Sequence, residues 1–499
     1  MSGAGNGIAA GTAATTPRDL TPGDHDVPPF SLGGQDMYAI SPDGQEVAYA
    51  SNIDEIEATS TNDEVFVVPI AGGTPKKLST SPGADTTPLY SPDGKYLAWR
   101  SQARAGFEAD KWRLFVQDRQ SGKTREVANT FVESIGSFTW TSEPGEIVFT
   151  AEKRGRSPIF ATSVDPKADW TTIADSDDLH AGDLVFGKGF GYFTRMSAEA
   201  PNEIWRLDLA TRKDADPIVV THINDALLSQ IDMDPLESFA FKGSNNEEVQ
   251  GFIVKPPGFD RNKKYPLKFL IHGGPQGAWG NSWSYRWNPE LFAANGYVVV
   301  MINFHGSTGY GQKFTDSISG DWGGKPYEDL MKGLDYVEKK YPFIDKSREA
   351  ALGASYGGWM ANWLLGHTDR FKCIVSHDGM FNTESAYGTT EELWFPEWEF
   401  KGPPWKQREL YRKFSPHLFA DKFKTPTLVV HGQNDYRLDV SEGFQLFTTL
   451  QRLKVPSKML YFPDEGHWVL KPQNSRLWYK TVNDWVDQWC RPGRTGNSR

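Results

Sequence analysis

The sequence predicts two fold classes in one chain: a small β-propeller, followed by a mostly parallel α/β sheet. In the first half, a phrase built on a Ser-Pro-Asp-Gly turn returns about every 50 residues, a period typical of propeller blades. The second half alternates apolar strands with helices, the pattern of a parallel sheet that is covered on both faces. The 499 residues suffice for two domains or more, since a domain commonly has about 100–200 residues.

The repeated phrase marks the blades. With decreasing similarity, it occupies residues 38–51, 89–101, 138–151 and 183–195. Proline fixes φ and glycine takes a positive φ in this turn, so each copy predicts two tightly joined strands. Alternating segments such as residues 64–69 and 113–118 add further strands, which gives a four-stranded blade. About four blades fit before residue 235.

The start of the chain does not match a full blade. Residues 1–16 are mostly Gly, Ala, Ser and Thr and predict a disordered lead. Residues 17–22 look like the last strand of a blade whose earlier strands are absent, and propellers close with about 4–8 blades. We therefore expect an incomplete propeller over residues 17–235 and a truncated or misassigned chain start. A genuine small propeller is the alternative.

The second domain is predicted over residues 236–499, where a hairpin leads into a parallel sheet. Six apolar strands are predicted over residues 267–272, 297–303, 348–352, 373–377, 427–431 and 458–462. Two predicted helices have apolar stripes that indicate a core-facing side, formed by Met360, Trp363 and Leu364 in one and by Leu477, Trp478, Val482, Trp485 and Val486 in the other. We interpret these tryptophans as core residues.

Composition excludes several classes of partner. The net charge of −11 argues against binding to nucleic acid or to anionic membranes. The sequence shows no signal peptide and no apolar run long enough to span a membrane. We expect a periplasmic or secreted protein if the start is truncated, and a cytoplasmic one otherwise. Cys373 and Cys490 make no disulfide framework, and Cys373 is predicted to be buried in a strand.

The sequence Gly353-x-Ser355-x-Gly357 lies between a predicted strand and a predicted helix. This is the nucleophile-elbow pattern, in which a strained turn exposes the serine hydroxyl at the head of a sheet. A Cβ at either glycine would collide with a neighbouring strand or helix. The backbone N–H of Tyr356 would then face a developing oxyanion. The pattern is short, and a plain glycine-rich turn is the alternative.

Two further residues at strand ends complete a catalytic set. Asp435 follows the strand over residues 427–431, and His467 follows the strand over residues 458–462. The order Ser355, Asp435, His467 is that of the α/β-hydrolase triad, with a nucleophile, an orienting carboxylate and a general base. Taken singly, the histidine could be a packing residue and the aspartate a helix cap.

An oxyanion hole needs a second donor. His272-Gly-Gly-Pro ends an earlier strand, where such a motif supplies a backbone N–H. Gly274 is the first candidate and Gly273 the second; a plain Gly-Gly-Pro turn is the alternative. Together these features predict an α/β-hydrolase domain after the propeller.

Five motifs recur in one family of enzymes: His272-Gly-Gly-Pro, Asn303-Phe-His-Gly-Ser-Thr-Gly-Tyr-Gly, Gly353-Ala-Ser-Tyr-Gly-Gly-Trp-Met, His431-Gly-Gln-Asn-Asp and Glu465-Gly-His. The chain beyond residue 17 therefore resembles the prolyl oligopeptidase family of serine peptidases. Residues 377–382 and 390–398 are most similar to its dipeptidyl-peptidase V branch. His305 stands where members often have arginine.

The resemblance implies peptide substrates, a propeller that shields the site, and release of N-terminal dipeptides. Such an enzyme must hold a free ammonium, which needs carboxylate partners when it is buried. The candidates are Glu391 and Glu392, with Glu397 and Glu399 beyond them. A solvated acidic loop or an ordinary helix start is the alternative reading of these residues.

Two rival functions remain open. The first is an acylaminoacyl-peptidase or a carboxylesterase that uses the same triad. The second is a non-catalytic propeller scaffold. The sequence contains no phosphate-binding loop and no metal-ligand spacing such as His-Glu-x-x-His, so we expect no cofactor and no metal.

Overall fold

The computed structural model describes residues 17–29, 37–208 and 217–491. The predicted disordered lead over residues 1–16 lies outside the described residues. None of the helices in the described ranges is both long and apolar enough to cross a lipid bilayer.

The prediction of a blade strand at residues 17–22 is wrong. This segment forms no strand, because Pro17 and Pro22 have no N–H to donate to a sheet ladder. The side chain of Leu20 packs instead against an apolar cluster on the first sheet.

Four sheets of four antiparallel strands follow, and in each sheet the strands are paired in sequence order. The first two sheets consist of β1 (Tyr38–Ile40), β2 (Glu46–Asn52), β3 (Asp63–Pro69) and β4 (Lys76–Lys77), then β5 (Asp85–Tyr90), β6 (Tyr96–Ser101), β7 (Arg113–Asp118) and β8 (Thr124–Val127). The next two consist of β9 (Phe138–Trp140), β10 (Glu146–Thr150), β11 (Ile159–Ser163) and β12 (Thr171–Ala174), then β13 (His180–Phe186), β14 (Phe190–Ser197), β15 (Ala200–Asp208) and β16 (Ile218–Val219). The predicted blade architecture is confirmed.

The repeated phrase forms the turn between the first two strands of a blade. In the first copy, the N–H of Gly44 donates to the carbonyl of Ser41 at 2.8 Å, and Gly44 has a φ of 69°. In the second copy, Gly94 and Ser91 make the same bond at 2.8 Å, and the φ of Gly94 is 70°. Only a residue without Cβ adopts this conformation at little cost, which explains why glycine ends the phrase.

One eight-stranded sheet organises the second half. Its strands, in sequence order, are β17 (Glu237–Lys242), β18 (Glu248–Val254), β19 (Tyr265–Ile271), β20 (Val298–Asn303), β21 (Ile344–Ala354), β22 (Cys373–His377), β23 (Thr427–Gly432) and β24 (Ser457–Phe462). In space the order is β17-β18-β20-β19-β21-β22-β23-β24, and all pairs from β20 to β24 are parallel. Each predicted strand is present, so the carboxyl ends of six neighbouring parallel strands share one edge.

Helices cover both faces of this sheet. The helices of the described chain are α1 (Asp225–Leu228), which precedes the sheet and buries no residue, α2 (Pro289–Ala293), α3 (Gln312–Asp316), α4 (Lys325–Lys340), α5 (Tyr356–His367), α6 (Thr383–Tyr387), α7 (Trp394–Glu399), α8 (Pro404–Lys413), α9 (Val440–Arg452) and α10 (Pro472–Cys490). Helices α4, α5 and α9 bury apolar side chains on one face, and α2 and α10 on the other. Of the predicted stripes, only Leu477 is misplaced: it is 47% exposed, because it lies about 100° around the helix from Trp478.

Loops of the second and third blades contact the edge where the parallel strands end. Arg104 forms a two-bonded ion pair with Asp316, at 2.8 and 3.0 Å. Phe107 stacks on Trp398 with ring centroids 4.4 Å apart, and the N–H of Arg154 donates to the carbonyl of Gly309 at 2.9 Å. The blades therefore roof the end of the sheet at which α/β proteins place their functional residues.

His305 has a structural role in the hydrolase domain. Its Nδ1 lies 2.6 Å from Oδ2 of the fully buried Asp329, and its Nε2 lies 3.2 Å from Glu247. Asp329 also accepts hydrogen bonds from the backbone N–H groups of Ser244 and His305, at 2.6 and 2.7 Å. This network ties the loop after β20 to α4.

Replacing Asp329 by alanine is expected to destabilise the hydrolase domain by about 3 kcal/mol, because buried donors would lose their acceptor. Urea titration followed by tryptophan fluorescence measures the loss. Asp335→Ala, on the same helix, is the control: that side chain is 70% exposed, and exposed pairs contribute little. Equal unfolding free energies for the two variants would contradict a stabilising role for the Asp329 network.

Candidate active site

Ser355 lies at the junction of β21 and α5 with a φ of 59° and a ψ of −123°. The flanking glycines permit this strained turn. A Cβ on Gly353 would lie 2.2 Å from the carbonyl oxygen of Gly357, and a Cβ on Gly357 would lie 2.2 Å from that of Ile271. Any side chain at these positions would force the helix away from the sheet. The sharp turn predicted from the sequence is present, with its serine at the wall of a cavity.

Asp435 and His467 meet as the strand order predicts. His467 Nδ1 lies 2.8 Å from Asp435 Oδ2. The other carboxylate oxygen of Asp435 accepts the backbone N–H groups of Arg437 and Leu438, at 3.1 and 2.9 Å. Since Asp435 accepts the Nδ1 proton, the neutral imidazole has its free lone pair on Nε2, as a general base requires.

The charge state of this pair follows from its neighbours. Burial alone would raise the pKa of Asp435, but hydrogen bonds from His431 and His467 lower it well below the usual range. Burial would lower the pKa of His467, but the Asp378 carboxylate and the bond to Asp435 raise it to about 9. The pair is therefore an ionised carboxylate beside an imidazole that holds its proton tightly.

Asp378 is a residue of the candidate site that sequence analysis missed. Its Oδ1 accepts the backbone N–H of Ser355 at 2.5 Å, and its Oδ2 lies 3.7 Å from His467 Nδ1. It has a φ of 41° just after β22, the strand next to β21. The carboxylate thus fixes the serine turn and places a second negative charge beside the imidazole. Its position in the His-Asp-Gly sequence after a strand was the available signal.

The oxyanion candidates line the same cavity as Ser355. Tyr356 is the first residue of α5, so its N–H has no acceptor within the helix. A Cβ on Gly273 would lie 3.0 Å from Ser355 Cβ, so the His-Gly-Gly segment lies directly against the serine, and the N–H of Gly274 follows at the next peptide. The assignment of Gly274 as second donor stays a prediction.

His272 holds this glycine segment in place. Its Nδ1 donates to the carbonyl of Gly273 at 2.8 Å, and its Nε2 lies 2.9 Å from Ser307 Oγ. Burial lowers the pKa of His272 to about 4, so the ring is neutral. A neutral ring can accept the Ser307 hydroxyl proton on Nε2 while donating from Nδ1.

The cavity around Ser355 has a volume of about 450 Å³. One wall is aromatic and includes Trp322, Trp359 and Phe395; another carries the carboxyl groups of Glu392 and Glu108. Glu108 comes from the propeller, in the loop between β6 and β7. Sequence analysis missed it because only the docking of the two domains brings it to the site.

The four predicted acidic residues are separated by the structure. Glu392 lines the Ser355 cavity, whereas Glu391 does not, and both lie within 3.2 Å of the Arg437 guanidinium. Glu399 accepts bonds from Trp322, Gln276 and Ser319, and Glu397 accepts the Tyr387 hydroxyl. The carboxylates of Glu397 and Glu399 therefore have structural hydrogen-bond partners within the hydrolase domain.

Comparison with known proteins establishes the family. A family model described as the prolyl oligopeptidase family matches residues 283–493. The dipeptidyl-peptidase 5 of Porphyromonas gingivalis is 36% identical over 490 aligned residues, which cover 96% of this chain and 70% of that protein. The chain belongs to the prolyl oligopeptidase family.

Other members of this family are similar over most of the chain. The probable dipeptidyl-peptidase 5 of Aspergillus clavatus is 39% identical over 486 residues, 93% of this chain and 66% of that protein. The chain thus spans about two thirds of the length of the curated relatives it matches.

Its fold is similar to that of the Pyrococcus horikoshii acylaminoacyl peptidase, with a TM-score of 0.79 at 21% identity over 91% of this chain and 71% of that one. It is also similar to a Mycobacterium tuberculosis puromycin-hydrolyzing peptidase, with a TM-score of 0.69 at 18% identity, over 91% and 70% of the two chains. The predicted combination of propeller and α/β-hydrolase domain is confirmed.

Activity is expected to rise with pH along a limb that reflects the pKa of His467, because only the neutral imidazole accepts a proton. Asp378→Asn keeps an acceptor for the Ser355 N–H but removes a charge that raises this pKa. We expect the limb of kcat/KM to move to lower pH by roughly one unit. The measurement is a pH profile on a chromogenic substrate.

Asp464→Asn is the matched control for that profile. Asp464 is close to His467 in the sequence, but its carboxylate is half-exposed and paired with Lys471. Superimposable profiles for wild type and Asp378→Asn would show that Asp378 does not act on the imidazole.

Proposed function

We propose that this protein is a serine peptidase that releases dipeptides from the N-terminus of oligopeptides through an acyl-enzyme on Ser355. The observation that carries the proposal is the placing of two carboxyl groups, Glu108 and Glu392, in the cavity of a serine–histidine–aspartate set. The names of the curated relatives, which are dipeptidyl-peptidases, support it.

In acylation, Ser355 Oγ attacks the carbonyl carbon of the second peptide bond while His467 Nε2 takes the hydroxyl proton. Asp435 stabilises the imidazolium that forms. The N–H groups of Tyr356 and Gly274 stabilise the oxyanion of the tetrahedral intermediate. His467 then gives its proton to the leaving amine, and the C–N bond breaks. Water, activated by the same imidazole, releases the dipeptide from Ser355.

Glu108 and Glu392 limit how many residues can lie between the N-terminus of the substrate and Ser355. Glu108 is an exposed residue that lines the cavity, and the loss of solvent around its carboxyl group, together with Glu392, raises its pKa to about 8. Burial raises the pKa of Glu392 to about 7, although Arg437 opposes the shift. A substrate ammonium would place a further positive charge beside both groups and favour their ionised forms. A peptide anchored there by its N-terminus presents a fixed number of residues before Ser355.

Of the acids predicted from the sequence, Glu392 keeps the role of amine anchor. Glu391 is assigned to a neighbouring cavity, and Glu108 takes its place. Peptides are the proposed partners. The absence of nucleic-acid, membrane and cofactor binding stays a prediction, as does the compartment.

Hydrolysis of matched substrates tests the proposal. Wild type is expected to cleave chromogenic amides of free-amino dipeptides, and Ser355→Ala is expected to lose at least about 10³-fold in kcat, the scale for a missing nucleophile. Cleavage of N-acylated single-residue amides alone would favour the acylaminoacyl-peptidase function, and cleavage of simple esters alone would favour a carboxylesterase. A folded wild type that cleaves none of these and takes no fluorophosphonate label would favour the scaffold.

Glu108→Gln and Glu392→Gln test the ammonium anchor. Each is expected to lower kcat/KM for free-amino dipeptidyl amides by roughly ten- to a hundredfold, since a charge-assisted bond to the ammonium is lost. The same amides carrying an N-terminal acetyl group are expected to lose less activity or none. Glu143→Gln is the control, an exposed acid of the third blade outside the cavity. Equal losses on both substrate series would contradict the anchor role.

A further inference from the structure

A second cavity of about 440 Å³ lies beside the first. Its roof is the first blade, through the 3-10 helix Glu57–Thr59 and the start of β3, and its floor is the segment around Glu391. The two cavities share four lining residues: Glu392, Arg437, His467 and Trp468. The second cavity therefore adjoins the candidate active site at the imidazole of His467.

The shared residues indicate which part of a substrate reaches the second cavity. Ser355, Tyr356 and Gly274 line only the first cavity, so the acyl group and the oxyanion belong there. His467 lines both cavities, and its imidazole protonates the leaving amine. The peptide that leaves must begin at this imidazole, and the space beyond it is the second cavity.

The second cavity is strongly acidic. Among the described residues that line it, four are carboxylic acids: Glu57, Asp63, Glu391 and Glu392. Two cationic groups belong to that described lining: Arg437 is engaged by Glu391 and Glu392 at 3.2 and 3.0 Å, and His467 is engaged by Asp435 at 2.8 Å. Within the described part of the chain, the carboxyl groups on the propeller side, Glu57 and Asp63, are thus left without a compensating cation.

Asp63 is the residue that points to a ligand. It is only 9% exposed, yet its carboxyl group makes no hydrogen bond or ion pair with the described part of the chain and opens into the cavity. Burial and the neighbouring carboxylates of Glu57 and Asp85 raise its pKa to about 7. A buried carboxyl group normally has a partner, and this one lacks the cation that its surroundings favour.

We propose that the second cavity is a subsite for a cationic side chain, lysine or arginine, in the first residues of the leaving peptide, with Asp63 and Glu57 as its partners. The inference rests on the proposed peptidase function and adds a preference on the leaving side of the cleaved bond. Its ligand is distinct from the N-terminal ammonium, which Glu108 and Glu392 hold in the first cavity.

Four-residue peptides that differ only in the third residue test this subsite. With lysine, glutamine or glutamate at that position, we expect wild type to favour lysine over glutamine by about tenfold in kcat/KM, with glutamate poorer still. Asp63→Asn, which keeps the shape of the side chain, is expected to bring the lysine-to-glutamine ratio close to one. Glu57→Gln is expected to reduce the ratio in part, and Glu55→Gln, an exposed neighbour outside both cavities, is the matched control.

Binding to the Ser355→Ala variant separates this proposal from the peptidase function. Calorimetry is expected to give tighter binding of the lysine peptide than of the glutamine peptide, and Asp63→Asn in the same background is expected to remove the difference. Equal binding of the two peptides, or a lysine preference that survives Asp63→Asn together with Glu57→Gln, would overturn the subsite. If wild type cleaves no dipeptidyl amide, the peptidase function fails, and the binding comparison still decides the subsite.

Discussion

The positive φ of Ser355 is the constraint on which the rest of the site depends. It can persist only if the sheet and helix on either side leave no room for relaxation, and the contacts of Gly353 and Gly357 show how tightly they approach. The backbone N–H of Ser355 is held by Asp378, whose own backbone is also strained. The same carboxylate lies 3.7 Å from His467 Nδ1, so the geometry of the proposed nucleophile and the charge of the proposed base are coupled through one side chain.

Several carboxyl groups lie around this turn, and they differ in the partners that stabilise their negative charge. Asp435 is satisfied by imidazoles and backbone N–H groups, and it therefore stays ionised. Glu399 is satisfied by neutral donors that it orders. Loss of solvent raises the pKa values of Glu108, Glu392 and Asp63 as it raises that of Glu399, but within the described chain these three side chains accept no such set of neutral hydrogen bonds. Carboxyl groups left in this condition inside a cavity are the natural partners of a cationic substrate.

The propeller covers the cavities and also supplies acidic side chains to them. Glu108 and Asp63 come from different blades, and both reach cavities that the hydrolase domain shapes on its other side. Their positions depend on contacts between the domains such as the pair of Arg104 with Asp316. Under the proposed function, a propeller that docks in this way sets both the length and the charge of the peptide that fits.

The sequence by itself determined the blades, the parallel sheet, the elbow at Ser355 and the order of Asp435 and His467. These follow from local rules, because turn chemistry, strand periodicity and the meeting of parallel strand ends need only short segments to be read. It placed a strand wrongly at residues 17–22, where proline removes the ladder donors. Tertiary structure alone decided the positions on which the proposed roles of Asp378, Glu108 and Asp63 rest, and it placed Glu391 outside the Ser355 cavity that Glu392 lines. Those roles depend on which side chains face one cavity after two domains dock, and on which buried charges find a partner there; neither is a property of neighbouring residues in the sequence.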